Sequence, residues 1–392
     1  MSQHEDTGGR SIAVVGAGVF GVTAAIELAG RRWQVTLVDP GPVPRPEAAS
    51  TDISKVIRMD YGADAHYTAM AEAALATWDR WNTDGEPPLY HEDGFLLLSA
   101  AGMAPGGFEY ESCALLTARG QLLQRLTKSE IVRRFPAWAG YVDGYFNPRA
   151  GWAQSGDVLA RLLQRAHAVG VRLRLGDTCE RLVEQGSRVT GVRLSGGEDV
   201  RADVVLLAAG AWTPALLPHL SEVMWTTGQP VVHLRVERPQ EWQAPRFPVW
   251  GADISRTGWY GFPALPDGRL KIGHHGPGRP VHPDEPRTLL PPEIDRVRGF
   301  LADHLPALAD APVAATRLCL YCDTFDGDFW IDHDPDRPGL VVAAGDSGHG
   351  FKFAPVLGTL IADVVERRPN AWADRFAWRP RTVDGKEAAR AL

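Results

Sequence analysis

A glycine-rich turn held between two short apolar runs constrains this chain more than any other feature. The run IAVV at 12–15 reads as a buried strand and leads directly into GAGVFG at 16–21. Residues 22–29 then read as a helix, 31–34 as a polar turn, and VTLV at 35–38 as a second strand closed by Asp39. Strand, turn, helix, strand and acid together make the dinucleotide-binding fingerprint, a far stronger signal than three spaced glycines alone. Gly16 permits the tight turn, Gly18 lets the backbone approach a pyrophosphate, and Gly21 lets the helix pack closely on the strand. The helix N-terminus, with Val19 and Phe20 leading into it, then faces the negative charge. Asp39 is placed to accept hydrogen bonds from the ribose of an adenosine half, and it would repel a 2′-phosphate, which argues against NADP. This unit alone leaves NAD and FAD both open.

A chain of 392 residues exceeds one ordinary compact core, so two domains are expected. Apolar residues at 44% and charged residues at 23% describe a globular enzyme without a long disordered block. Forty-one basic against forty-eight acidic side chains leave a net charge of −7. No lysine or arginine run could track a phosphate backbone, so nucleic acid is not an expected partner. Residues 1–10 are polar, and no apolar stretch of about 18 residues follows, so neither a signal peptide nor a membrane span is expected. Cys113, Cys179, Cys319 and Cys322 are too few for a secreted disulfide framework, and a reducing cytoplasm fits them better. Cys319 and Cys322 form a single C-x-x-C with no second couplet, so no metal site is expected.

Further along, residues 157–170 carry a helical apolar pattern, and strands are expected at 171–175, 181–184, 189–194 and 204–207. The last runs into the small-residue turn AAGAW at 208–212. A third return to the nucleotide unit is expected at GLVVAAG, 339–345, followed by DSGHG at 346–350 and a helix over 355–367. Glycines leading into that helix N-terminus suit a cofactor group that becomes anionic. The expected class is α/β. A Rossmann-like FAD- or NAD-binding domain, made of 1–88, 150–222 and 322–392, is interleaved with a mixed-sheet α+β substrate domain made of 89–149 and 223–321. The tail after Trp378 reads as loosely held surface chain.

Five blocks, in order, carry a resemblance: STDISKVIR at 50–58, YGFP at 260–263, LKIGHH at 270–275, CLY at 319–321 and GDSGHGFK at 345–352. With the fingerprint, they resemble the monomeric sarcosine oxidase family, which includes N-methyltryptophan oxidase and the fructosyl amino acid oxidases. The resemblance implies an FAD oxidase that takes hydride from the carbon beside a secondary amine of an amino acid, N-methylated or N-glycated. The products are an imine and hydrogen peroxide, dioxygen being the second substrate of a monomeric enzyme. It further implies that Cys319 carries the flavin through its sulfur, that Lys271 activates oxygen, and that Arg58 and Lys352 hold the substrate carboxylate. Tyr260 and His275 match pocket residues; Ser50, Thr51, Gly345, Ser347, Gly348 and Gly350 fall in the cofactor-binding blocks, with Lys352 beside them. Lys55 stands where the sarcosine oxidases have arginine, and Thr51 where they have histidine; lysine at 55 is similar to the fructosyl amino acid oxidases.

Each position also has a plainer reading. Cys319 is a small apolar residue at a strand end, with Cys322 as the rival thiol. Lys271 snorkels from an edge strand, and Arg58 and Lys352 are solvated surface charges. Trp250 and Trp259 are either core or a substrate-sorting wall. Two alternative functions remain beside the leading one: an oxidase or dehydrogenase of a cyclic or specialised amino acid in a biosynthetic pathway, and a non-catalytic flavoprotein scaffold.

Overall fold

The structure is a computed structural model that describes residues 9–82, 87–382 and 390. The chain opens with strand β1 (Ser11–Val15), helix α1 (Val19–Gly30) and strand β2 (Gln34–Asp39), then strand β3 (Lys55–Ile57) and helix α2 (Ala65–Trp81). Helix α3 (Ser155–Ala168) and strand β4 (Val204–Leu207) return to the opening unit. Strands β5 (Met224–Arg235), β6 (Trp259–Gly261), β7 (Arg269–His274) and β8 (Val313–Thr324) build a second sheet, and strand β9 (Leu340–Ala344) with helix α4 (Ala354–Val365) closes the first.

The first sheet has six strands in the order Trp330–His333, β9, β4, β1, β2, Arg172–Leu175. Its inner pairs are parallel, with Ile12 beside both Val35 and Val204, and Leu206 beside Val341; the Trp330–His333 edge is antiparallel. A parallel sheet of this kind is covered on both faces, which explains why its strands read as unbroken apolar runs. On one face α1, α2, α3 and α4 bury Val22, Leu28, Met70, Trp78, Leu162, Leu357 and Ile361. On the other, a three-stranded meander (Cys179–Gln185, Arg188–Leu194, Asp199–Arg201) packs Val189 and Val192 against Ala13, Val205 and Val342.

The second sheet has nine strands and is mostly antiparallel. Its spine is the β5–β8 ribbon, in register from Met224 opposite Thr324 to Leu234 opposite Val313. The other edge of β5 meets β7, with His233 opposite Lys271, and β7 meets β6. Strand Val249–Ala252 joins β6 to Phe95–Ser99, Asp143–Asn147 and Gln124–Thr127. A small third sheet pairs β3 with Gly151–Ala153, which also takes Tyr90–His91.

The interleaved α/β architecture matches the expected class, and boundaries move by a few residues. Helix α1 begins at Val19, three residues before the apolar periodicity shows, because a Gly18 cap with extended backbone starts it. Of the tail after Trp378 expected to be loosely held, residues 379–382 and 390 are described, the rest lying outside the described residues, and three arginines among them make specific contacts. Arg379 pairs with Asp326 at 2.6 Å, Arg381 donates to the Glu222 carbonyl, and Arg390 meets Asp323 at 2.6 Å and the Ser347 carbonyl at 2.8 Å. These contacts are made by arginine side chains, which carry no apolar periodicity for sequence patterning to detect. Among the described residues no helix is long and apolar enough to cross a membrane.

Candidate active site

The cofactor end of the site is built from backbone. Gly16 has φ +100°, and a Cβ there would lie 2.4 Å from the Ala208 carbonyl oxygen, so β1 and β4 meet too closely for any other residue. A Cβ on Gly21 would sit 1.9 Å from the Gly16 carbonyl oxygen, which fixes how tightly α1 packs on its own turn. Asp39 lies buried at the end of β2 and accepts from the amides of Ala17 (2.8 Å) and Gly41 (3.1 Å). Burial pushes its carboxyl up, and those two amides with nearby Arg45 pull against that. Ser50 Oγ accepts from Val19 N at 3.0 Å, closing the open start of α1. The adjacent Thr51 Oγ1 is buried without a partner, an orphaned hydroxyl of the kind a bound polar group satisfies.

A single cavity runs from Asp39, Gly16 and Gly18 past Ser50 and Lys55 to Tyr321, Gly348, Gly350 and Phe351. The glycine cradle, the capped helix start and the buried acid at the end of β2, all lining one cavity, fit an extended dinucleotide. Where the cavity ends, Gly345, Ser347 and Gly348 have φ of +70°, +43° and +77°. The left-handed Ser347 is held by Thr324 N, which donates to its Oγ at 3.3 Å, and by its own amide to the Cys322 carbonyl at 3.0 Å. A Cβ on Gly348 would lie 2.2 Å from the Tyr321 ring, and one on Gly350 2.8 Å from Phe20. Asp346 is half-buried beside this turn; desolvation pushes its carboxyl up to about 6 against an amide bond from Cys322.

Cys319 and Tyr321 share one face of β8 and pack with Val231 and Ala49 beside the cavity. Cys322 is on the opposite face, packed with Met224 and Trp330, and burial pushes its thiol far up. Strand alternation therefore separates the rival thiols, and all four cysteines are free.

Arg58 and Lys352, 5% and 4% exposed, are not the solvated surface charges of the plainer reading. Both lie close to one ring, the Arg58 guanidinium 5.0 Å and Lys352 Nζ 5.2 Å from the centre of Tyr61. Lys352 Nζ donates to Tyr61 Oη at 2.9 Å and to the His349 carbonyl at 2.7 Å, and Trp78 Nε1 donates to the Lys352 carbonyl at 2.8 Å. Behind Arg58 lies fully buried Asp60. Desolvation pushes its carboxyl up, and Arg58 and a 2.5 Å bond from Tyr145 Oη oppose this.

Lys271 is 1% exposed on β7 and does not snorkel. Its Nζ meets Asp52 Oδ2 and the Ser54 carbonyl oxygen, both at 2.7 Å, and lies 4.7 Å from the centre of the Phe262 ring. Asp52 Oδ1 is 3.1 Å from His233 Nε2. Burial pushes Lys271 down and the Asp52 charge pulls it back, leaving it at about 8. For Asp52, burial is outweighed by Lys271, His233, Lys55 and Arg317, which hold it well below the usual carboxylate range. The pair is thus charged at neutral pH. Tyr260 lies across Gly273 in the facing strand, where a Cβ would come within 2.5 Å of its ring, and burial pushes its phenol up. His275 is buried with its ring 5.7 Å from that of Tyr321. Trp250 and Trp259 pack on Phe300 in the second core.

Sequence reasoning missed Tyr61, Asp52 and His233. Asp52 lies inside the block at 50–58 and was legible as an acid beside a predicted cation cluster. Tyr61, between Asp60 and Gly62, and His233, between Val232 and Leu234, stood in no motif that marked them.

The chain matches the family described as DAO, FAD dependent oxidoreductase, over residues 11–364. It is 28% identical to the L-saccharopine oxidase of Schizosaccharomyces pombe, with 94% of this chain and 93% of that protein aligned. It is 25% identical to the monomeric sarcosine oxidase of a Bacillus species, with 93% of each aligned. The crystal structure of the fructosamine oxidase Amadoriase II from Aspergillus fumigatus superposes with a TM-score of 0.82 at 26% identity, covering 94% of this chain and 89% of that one. With cradle, fold and full-length similarity in agreement, the chain belongs to the DAO family of FAD dependent oxidoreductases.

Proposed function

We propose that this protein oxidises an N-substituted amino acid, N-methyl or N-glycated, by removing hydride from the carbon beside its secondary amine. The products are an imine, hydrolysed in water, and hydrogen peroxide. One observation carries the reading: two buried cations, Arg58 and Lys352, gathered on Tyr61, with a third, Lys271, held in its own buried pair. Arg58, with Asp60 behind it, and Lys352 bring positive charge to one buried aromatic ring, an environment that favours an anionic group placed there. Arg58 offers a planar fork and Lys352 a point charge, a pair suited to one carboxylate.

FAD, when bound, supplies the two-electron acceptor, and Cys319 tethers it through its sulfur. Gly16, Gly18, Gly21, Val19, Phe20, Asp39, Ser50 and Thr51 hold its adenosine and pyrophosphate half. Gly345, Ser347, Gly348 and Gly350 present a helix start to its reacting half. Arg58 and Lys352 orient the substrate by its carboxylate; Lys55, in the cavity wall, reaches its N-substituent. Tyr260 and His275 exclude water from the amine. Lys271 supplies a fixed cation where dioxygen gains negative charge that the ground state lacks.

In this division, segments 1–88, 150–222 and 322–392 form the cofactor domain and segments 89–149 and 223–321 the substrate domain. The enzyme works as a monomer in a reducing cytoplasm, which four free thiols favour. A peroxide-coupled screen over sarcosine, N-methyl amino acids, cyclic imino acids and fructosyl amino acids tests the reading. Turnover of an N-methyl or N-fructosyl amino acid is expected; peroxide from cyclic imino acids alone would replace the substrate class.

A further inference from the structure

The resemblance that singled out Lys271 says nothing of the carboxylate and imidazole stacked behind it. Asp52 is clamped at its backbone, its amide donating to Ser155 Oγ at 3.0 Å while that hydroxyl donates to the Asp52 carbonyl at 2.8 Å. Its side chain is 1% exposed and divides its two oxygens, Oδ2 to Lys271 and Oδ1 to His233. His233 and Lys271 are direct cross-strand partners on β5 and β7, so their side chains rise from the same face of the sheet. Asp52 comes from the other side, from the loop before β3. Three elements thus converge on one buried charge pair.

We infer that Asp52 and His233 are positioning residues that hold the Lys271 ammonium charged and in one place for the reoxidation half-reaction. The inference rests on the assignment of Lys271 to dioxygen reduction. An isolated ammonium on a four-carbon stem, buried to 1%, would shed its proton or swing toward another acceptor. Contacts to Asp52 and the Ser54 carbonyl set its direction, and an ammonium has three donors, so these contacts do not exhaust it. His233 keeps Asp52 from rotating away. The other charged or titratable groups around the pair are Lys55 from β3, Arg317 and Cys319 from β8 and Tyr260 from β6. Lys55 and Arg317 add positive charge, so Asp52 is the group that keeps Lys271 protonated.

In the step concerned, dioxygen takes two electrons and two protons and leaves as hydrogen peroxide. The substrate hydride supplies both electrons and one proton, and the second proton is the one lost from the amine nitrogen as the imine forms. The sum is amine plus dioxygen giving imine plus peroxide. The cation is needed when the first electron arrives and charge appears.

The test is stopped-flow reoxidation of substrate-reduced holoenzyme, from about pH 6 to about pH 9, with anaerobic reduction measured in parallel. In native enzyme reoxidation slows as Lys271 loses its proton. In D52N that limb moves down by at least about one pH unit, so reoxidation is about tenfold slower above it and recovers as pH is lowered. Reduction by substrate is unchanged, and D52E restores much of the native profile. K271M is slow at every pH. H233A moves the limb less than D52N, and H233Q, whose amide still donates to Asp52, restores it; this series carries the test if D52N fails to hold flavin. A native limb in D52N or in H233A overturns the inference, as does a D52N enzyme that stays as slow as K271M at low pH. Native reoxidation in K271M would instead overturn the role of Lys271 itself.

Discussion

Burying an ammonium costs several kcal/mol unless a carboxylate meets it, and Lys271 has Asp52 at 2.7 Å. Removing one partner strands the other. K271M should therefore lose about 3–5 kcal/mol in chemical denaturation, and adding D52N should recover most of it. A double variant no more stable than K271M would count against the pairing. The same residue sets a pH dependence. Its proton is lost near 8 in the folded protein and near 10.5 when exposed. Below about 8 both states keep the proton and this contribution is flat. From there to about 10.5 only the unfolded state holds it, so stability from this group rises with pH. Reoxidation has the opposite sign and should fall above about 8, while substrate reduction rises as the amine becomes neutral. Steady-state activity is then bell-shaped, and half-reaction traces separate its limbs. At Arg58 the expectation is simpler: R58A should weaken apparent affinity for acid substrates by about 1.5–3 kcal/mol, seen mainly in KM.

At the scale of elements, close approaches of backbone decide the site. Gly348 combines φ +77° with a Cβ position 2.2 Å from the Tyr321 ring. G348A should cost about 2 kcal/mol or more and lower bound flavin per chain, read from absorbance. Gly30 ends α1 with nothing within 4 Å of its Cβ position. G30A is the matched control and should be neutral or stabilising by about 0.5–1 kcal/mol. The strands, helices and first turn were largely legible because each depends on residues within one window of periodicity. The placement of Tyr260 across Gly273 was not, since it depends on the register of β6 against β7. Nor was the separation of Cys319 from Cys322 drawn from the sequence, although strand alternation alone implies it once β8 is assigned.

At the scale of the whole molecule, the cavity is walled by the first sheet, by the loop carrying Ser50 with Lys55 at the start of β3, and by Tyr321 of the second sheet. A ligand touching all three should stabilise them together. C319S should release its flavin on acid precipitation where the native protein retains it. The resulting apoprotein should gain about 2.7 kcal/mol at FAD concentrations about 100 times Kd, visible as a rise in Tm. A Tm indifferent to FAD would mean that the cavity does not couple the two sheets. What the sequence determined by itself was the nucleotide cradle and the chemical type of each block, because glycine spacing and apolar period act within a few residues. Which partners the buried cations would find was decided only in three dimensions. Lys352 finds Tyr61 across 291 positions and Lys271 finds the Ser54 carbonyl across 217. Pairing of buried charges depends on distance through space and on exclusion of water, neither of which has a period along the chain.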